Sequence, residues 1–171
     1  MARTIEHRIV GYQNYEAIHD KLKKLFLDSF GADNPYFILA VNEAVCNAAR
    51  YSVYGPTKAK ITIQTEIAES DLRVKVSSET SPFDALAYQK RLKKLAADPK
   101  YQNMDCGDYT ADTEMSRGFW YMLEAVDYLV IDADGDDITL SARLPYDYQP
   151  LDARIGYLAP KFYVRKNGVI Q

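Results

Sequence analysis

The chain has 171 residues, 47% of them hydrophobic and 26% charged, which fits one soluble globular domain and excludes long disorder. Its formal charge of −3 gives no field that would gather nucleic acid, so no nucleic-acid partner is expected. Two cysteines, Cys46 and Cys106, allow at most one disulfide. The N-terminus shows no apolar leader and no apolar run could span a bilayer, so a cytoplasmic protein without a membrane partner is expected.

Thr4 to Val10 reads as a first strand, and Asn14 is placed to cap a helix carrying Tyr15, Ile18, Leu22, Leu25 and Phe26 on one stripe. Gly31 ends that helix. Asn34-Pro35 then reads as N-cap and first-turn proline of a second helix running to about Ser52, with Gly55-Pro56 breaking the chain behind it. Ile61, Ile63, Thr65 and Ile67 alternate, as do Leu72, Val74 and Val76 after a turn at Glu69-Ser70-Asp71, predicting an antiparallel pair. Tyr88 to Leu95 is basic and amphipathic, and Asp98 to Glu114 reads as a long mobile connection. A third substantial helix is expected from Arg117 to Val126, followed by strands Tyr128 to Ile131 and Ile138 to Leu144 joined at Asp134-Gly135-Asp136. From Pro145 the tail holds tyrosines and aliphatics without a helix period, and an edge strand or an oligomer contact would both suit it. The order predicts an α+β fold, a two-layer sandwich whose mixed or antiparallel sheet is covered on one face by three helices. The other face must be solvated or paired.

On the second helix the wheel sets Phe37, Ile38, Val41, Val45, Ala48 and Ala49 on one side and Glu43, Asn47 and Arg50 on the other. Glu43 and Asn47 are four apart and therefore neighbours. A carboxylate beside a carboxamide can bring hard oxygen to Mg²⁺ and can activate a hydroxyl, although an ordinary solvated face carries the same pair. Cys46 has no second thiol or imidazole at zinc-ligand spacing.

Glu43-x3-Asn47-Ala48 on a helix, followed by a loop, two strands, a long segment and a glycine-marked helix, resembles the Bergerat-fold ATPases shared by histidine kinases, gyrase and MutL. Within these it is most similar to the compact anti-sigma-factor serine kinases, whose helix motif begins with a stretch like Ile38-Leu39-Ala40-Val41-Asn42-Glu43. The resemblance covers residues 4–144, which implies a histidine-kinase-like ATPase domain over 1–144 with 145–171 as an extension packed on it. It implies that Asn47 binds Mg²⁺ and, through it, the phosphates of ATP, and that Glu43 is the base activating a phosphate acceptor. Tyr51 stands where the family often has a histidine and would support the pocket. The implied partner is a sigma factor or an anti-sigma antagonist, with a homodimer left open.

The glycine motifs depart from the family. Ser78-Glu79-Thr80-Ser81-Pro82-Phe83-Asp84 keeps only Phe83 and Asp84, and Ser78 takes the place of the aspartate that reads adenine. Thr80 and Pro82 replace glycines that let backbone approach a ligand. Ser116-Arg117-Gly118-Phe119-Trp120 keeps one glycine, where Arg117 and the helix N-terminus beside Gly118 could meet a phosphate or merely pack the helix on the sheet. Lys90, Arg91, Lys93 and Lys94 fall where the family has its lid, or form a plain solvated face. Three readings follow: an ATP-binding regulator that transfers or senses the γ-phosphate, a pseudo-ATPase with an eroded adenine site that works through protein contacts, and an unrelated α+β binding protein in which Glu43 and Asn47 are incidental.

Overall fold

The computed structural model describes residues 2–111, 117–147 and 149–171. Side-chain alternation builds the sheet. β1 (Arg3–Val10), β2 (Lys60–Ile67) and β3 (Asp71–Ser77) pair antiparallel, with Ile9 opposite Ile61 and Ile63 opposite Val76. β4 (Tyr128–Asp132) and β5 (Asp137–Arg143) form a second antiparallel pair, and β5 docks on β3 so that Val76 meets Ile138 and Val74 meets Leu140. Each register places apolar side chains on one common face, which is what fixes it.

The tail completes the sheet. β6 (Phe162–Lys166) lies parallel to β4, with Leu129 opposite Phe162, and β7 (Val169–Ile170) turns back on β6. The result is a mixed seven-stranded sheet in the order β1-β2-β3-β5-β4-β6-β7, so the tail contributes two strands and one edge.

Helices cover the apolar face and give an α+β fold of two layers. α1 (Glu16–Phe30) ends at Gly31, whose φ of 68° is the left-handed conformation that glycine takes without a Cβ penalty. Its start differs from the expectation. The cap position is Tyr15, and Asn14 instead turns its amide back to the Val10 carbonyl at 2.6 Å. α2 (Pro35–Arg50) begins as expected, with the Asn34 side chain accepting from the Phe37 N–H at 3.1 Å. Phe37 is fully buried and meets Phe26 and Phe30 edge to face, which locks α1 against α2.

The basic stretch is α3 (Ala85–Ala97), capped by Asp84 through the Ala87 N–H at 2.9 Å. The expected mobile connection contains α4 (Cys106–Ala111), held by a bridge between Asp105 and Arg154 and by the Cys106 N–H to the Ala153 carbonyl at 2.9 Å. Glu114 and Ser116 lie outside the described residues. α5 (Arg117–Ala125) packs on α2, and the short α6 (Ile155–Leu158) packs on α3 and α5. Six α-helices are thus present among the described residues, where three were expected.

The other sheet face carries ion pairs, with Val130, Thr139 and Ser141 buried among its side chains. Arg73 pairs with Asp71 at 2.6 Å, Lys75 with Asp137 at 2.7 Å and Arg165 with Asp132 at 3.2 Å. Both cysteines are free thiols. No helix among the described residues is long and apolar enough to cross a membrane.

Candidate functional site

Beyond α2 the chain is fastened to the end of β3. Ser52 bridges to Thr80, the Val53 N–H reaches the Glu79 carbonyl at 3.1 Å, and the Ser81 N–H reaches the Tyr51 carbonyl at 2.8 Å. On its other side the β3 exit is joined to the β4–β5 turn, where the Ser78 N–H meets the Asp136 carbonyl at 3.0 Å and the Phe83 N–H meets the Asp134 carbonyl at 3.2 Å. These ties hold open a cavity of about 470 Å³ between the C-terminal half of α2, the sheet, α3 and α5. That volume is in the usual range for a small-molecule site.

The sheet contributes Val76, Ile131 and Ile138 to its wall, α5 contributes Phe119 and Met122, and α3 contributes Tyr88 and Arg91. Phe83, Tyr88 and Phe119 form a run of ring contacts, with centroids 5.4 Å and 4.9 Å apart. Burial pushes the Tyr88 phenol above its ordinary range, with the positive charge of Arg91 acting against that shift. Polar groups enter from Asn47, Thr80 and Asp136. An apolar slot with a few convergent polar groups and one cation suits a flat ring carrying an anionic tail.

The predicted site residues are partly brought together. Asn47, Tyr51 and Phe83 line the cavity, Tyr51 and Phe83 with about half and two-fifths of their surface exposed. Glu43 does not line it. Glu43 is half-buried, and its charge acts on Tyr12, whose phenol is raised first by burial and then by Cys46 and Glu43. On the wheel Ala44, Asn47, Ala48 and Tyr51 form one stripe, and Glu43 stands about 90° from its centre against about 50° for Asn47. Ser78 is buried on the apolar face of β3, and its hydroxyl has no hydrogen-bond partner among the described residues. Arg117 is exposed and Gly118 buried at the start of α5, and neither lines the cavity. Of the basic run, Arg91 alone is a lining residue.

Sequence reasoning missed Asp136, because Asp134-Gly135-Asp136 explains itself as a turn. The Asp136 Oδ1 accepts from the Thr80 N–H at 2.9 Å and the Thr80 hydroxyl at 3.0 Å. Gly135 has φ 89°, and a Cβ there would lie 2.9 Å from the Phe83 Cβ, so glycine lets the ring close over the turn. Trp120 is fully buried outside the cavity lining and does not fill it.

No cluster of three or more His, Cys, Asp or Glu among the described residues could hold a metal ion. A cation here would rest on the Asn47 carboxamide and on oxygens brought by the ligand itself, which is the manner in which Mg²⁺ commonly binds with phosphates. No protein-family model and no curated protein matches the chain.

Proposed function

We propose that the chain is an ATP-binding regulatory protein of the histidine-kinase-like, anti-sigma-kinase type, taking Mg·ATP in the cavity beneath α2. The observation that carries this reading is the position of Asn47 on the wall of an apolar, aromatic-lined cavity that also holds the Arg91 cation. Asn47 would hold Mg²⁺, whose chemistry is to neutralise phosphate charge and orient the chain of phosphates. Arg91 adds a charge-assisted contact to the same phosphates, and Tyr88, Phe119 and Val76 enclose the base. A sigma factor or anti-sigma antagonist is the proposed partner, its binding governed by the nucleotide.

Two observations favour the second reading, a pseudo-ATPase that regulates by protein contact. Glu43, the family's base, stands off the cavity, and Ser78 replaces the acid that reads adenine. The first of these supports nucleotide sensing over phosphoryl transfer.

Calorimetric titration with ATP and Mg²⁺ tests the reading. Saturable binding by the parent protein, weakened at least about tenfold in Asn47→Ala, is expected for a residue that holds the metal. No binding at millimolar nucleotide removes the ATP reading and leaves the protein-contact regulator.

A further inference from the structure

An adenine base buried against Val76, Ile131 and Ile138 needs an acceptor for its exocyclic amine, since an unpaired buried donor is costly. Ser78 cannot present a charged one. Asp136 stands directly across from it. Ser77 pairs with Asp137 in the β3–β5 ladder, and the Ser78 N–H donates to the Asp136 carbonyl at 3.0 Å, so the two side chains share the face of Val76 and Ile138. Ser78 itself is buried with its hydroxyl unpartnered, while Asp136 lines the cavity. The Asp136 Oδ1 is committed to the Thr80 N–H and hydroxyl, and Oδ2 accepts nothing from the described residues. Thr80 therefore pins the carboxylate and leaves one oxygen for a ligand.

We propose that Asp136 is the specificity-determining acceptor of the cavity, taking the exocyclic amine of a 6-aminopurine and supplying from the β4–β5 turn the carboxylate that position 78 lacks. The inference rests on the nucleotide reading above. A carboxylate oxygen pairs with an amine N–H and repels the carbonyl oxygen of a 6-oxopurine, so the cavity selects the amino base.

The test uses the full chain, Mg²⁺, and three nucleotides in parallel titrations: ATP, inosine triphosphate, and the triphosphate of purine riboside, which has only hydrogen at the position of the amine. The parent protein is expected to bind ATP at least about tenfold more tightly than either analogue, the discrimination typical of one hydrogen bond to a charged group. In Asp136→Asn, whose amide can donate to a carbonyl, the preference for ATP over inosine triphosphate is expected to fall at least about tenfold. Equal binding of all three by the parent, or an unchanged preference in the variant, overturns the role of Asp136 and leaves nucleotide binding standing. Binding of none of them overturns both. Because Asp136 also holds Thr80, the parent series with the two analogues decides the matter if the variant does not fold.

Discussion

Gly135 joins the stability of the hairpin to the shape of the cavity, and Gly135→Ala separates the two causes of its cost. The residue has φ 89°, so any side chain is strained there, by about 1–2 kcal/mol. A Cβ would also lie 2.9 Å from the Phe83 Cβ, and that atom cannot swing away as the end of a long side chain could. Phe83 is fixed by its N–H to the Asp134 carbonyl at 3.2 Å and by ring contact with Tyr88, so the 82–84 segment must move. Relieving the overlap adds about 1–2 kcal/mol, the lower part of the range for overpacking. Gly31→Ala is the control, with φ 68° and no atom within 4 Å of the added carbon, so it carries the strain alone. For a domain of this size each kcal/mol moves the melting temperature by about 2–4 °C. Thermal unfolding is thus expected to place Gly135→Ala about 2–8 °C below Gly31→Ala, with nucleotide binding weakened only in the former. Equal melting temperatures for the two variants would refute the claim that Phe83 packs on the turn.

On the proposed reading, in which the exposed Arg91 meets the phosphates, Arg91→Gln is expected to weaken Mg·ATP about three- to tenfold while leaving adenosine binding unchanged, as calorimetry can show. The Cys106 thiol is 4% exposed, donates to Glu124 at 3.0 Å, and is pushed upward by burial and then by that carboxylate. A thiol reagent followed by peptide mass mapping should therefore label the half-buried Cys46 well before Cys106. Burial also raises the phenol of Tyr15, which donates to the Asn42 Oδ1 at 2.7 Å. The folded state then keeps a proton that the unfolded chain releases above pH of about 10, so the stability tied to it is full below that pH and lost as pH rises. Denaturant titrations between about pH 10 and 11 should show stability falling less steeply in Tyr15→Phe, by up to about 1.4 kcal/mol per pH unit. An equal slope in parent and variant would show that the phenol is not held protonated.

Local chemistry made part of this molecule readable. Alternation at Ile61-Ile63 and Leu72-Val74-Val76 needs no distant partner to be seen, and Asn34-Pro35 and Gly31 mark helix ends through their own backbone preferences. The parts that were missed or left open depend on contacts made across the chain. β6 is five residues long and gains its place by lying parallel to β4, while α4 is tied by Asp105 and Cys106 to residues 153 and 154. Asn14 was drawn from the cap by a carbonyl four residues behind it.

The site follows the same division. The spacing of Glu43 and Asn47 is a helix property and was visible, but only the folded sheet decides which flank of α2 borders a cavity, and that flank includes Asn47 without Glu43. Asp136 escaped notice because its partner Thr80 is 56 residues away and its neighbour Ser78 follows a different strand, β3. That position 78 carries a serine and no acid was evident from the sequence. That a carboxylate stands opposite it required the β3–β5 register.

The location of the ligand is the claim on which the others depend, and a two-dimensional NMR titration of labelled protein with Mg·ATP reads it directly. The Asn47 side-chain amide and the backbone amides of Ser81, Gly135 and Asp136 are expected to shift together and saturate at one ratio, while Thr62 and Lys75 on the opposite sheet face stay still. Shifts confined to the surface around Tyr12 and His19, or none at millimolar nucleotide, would contradict it.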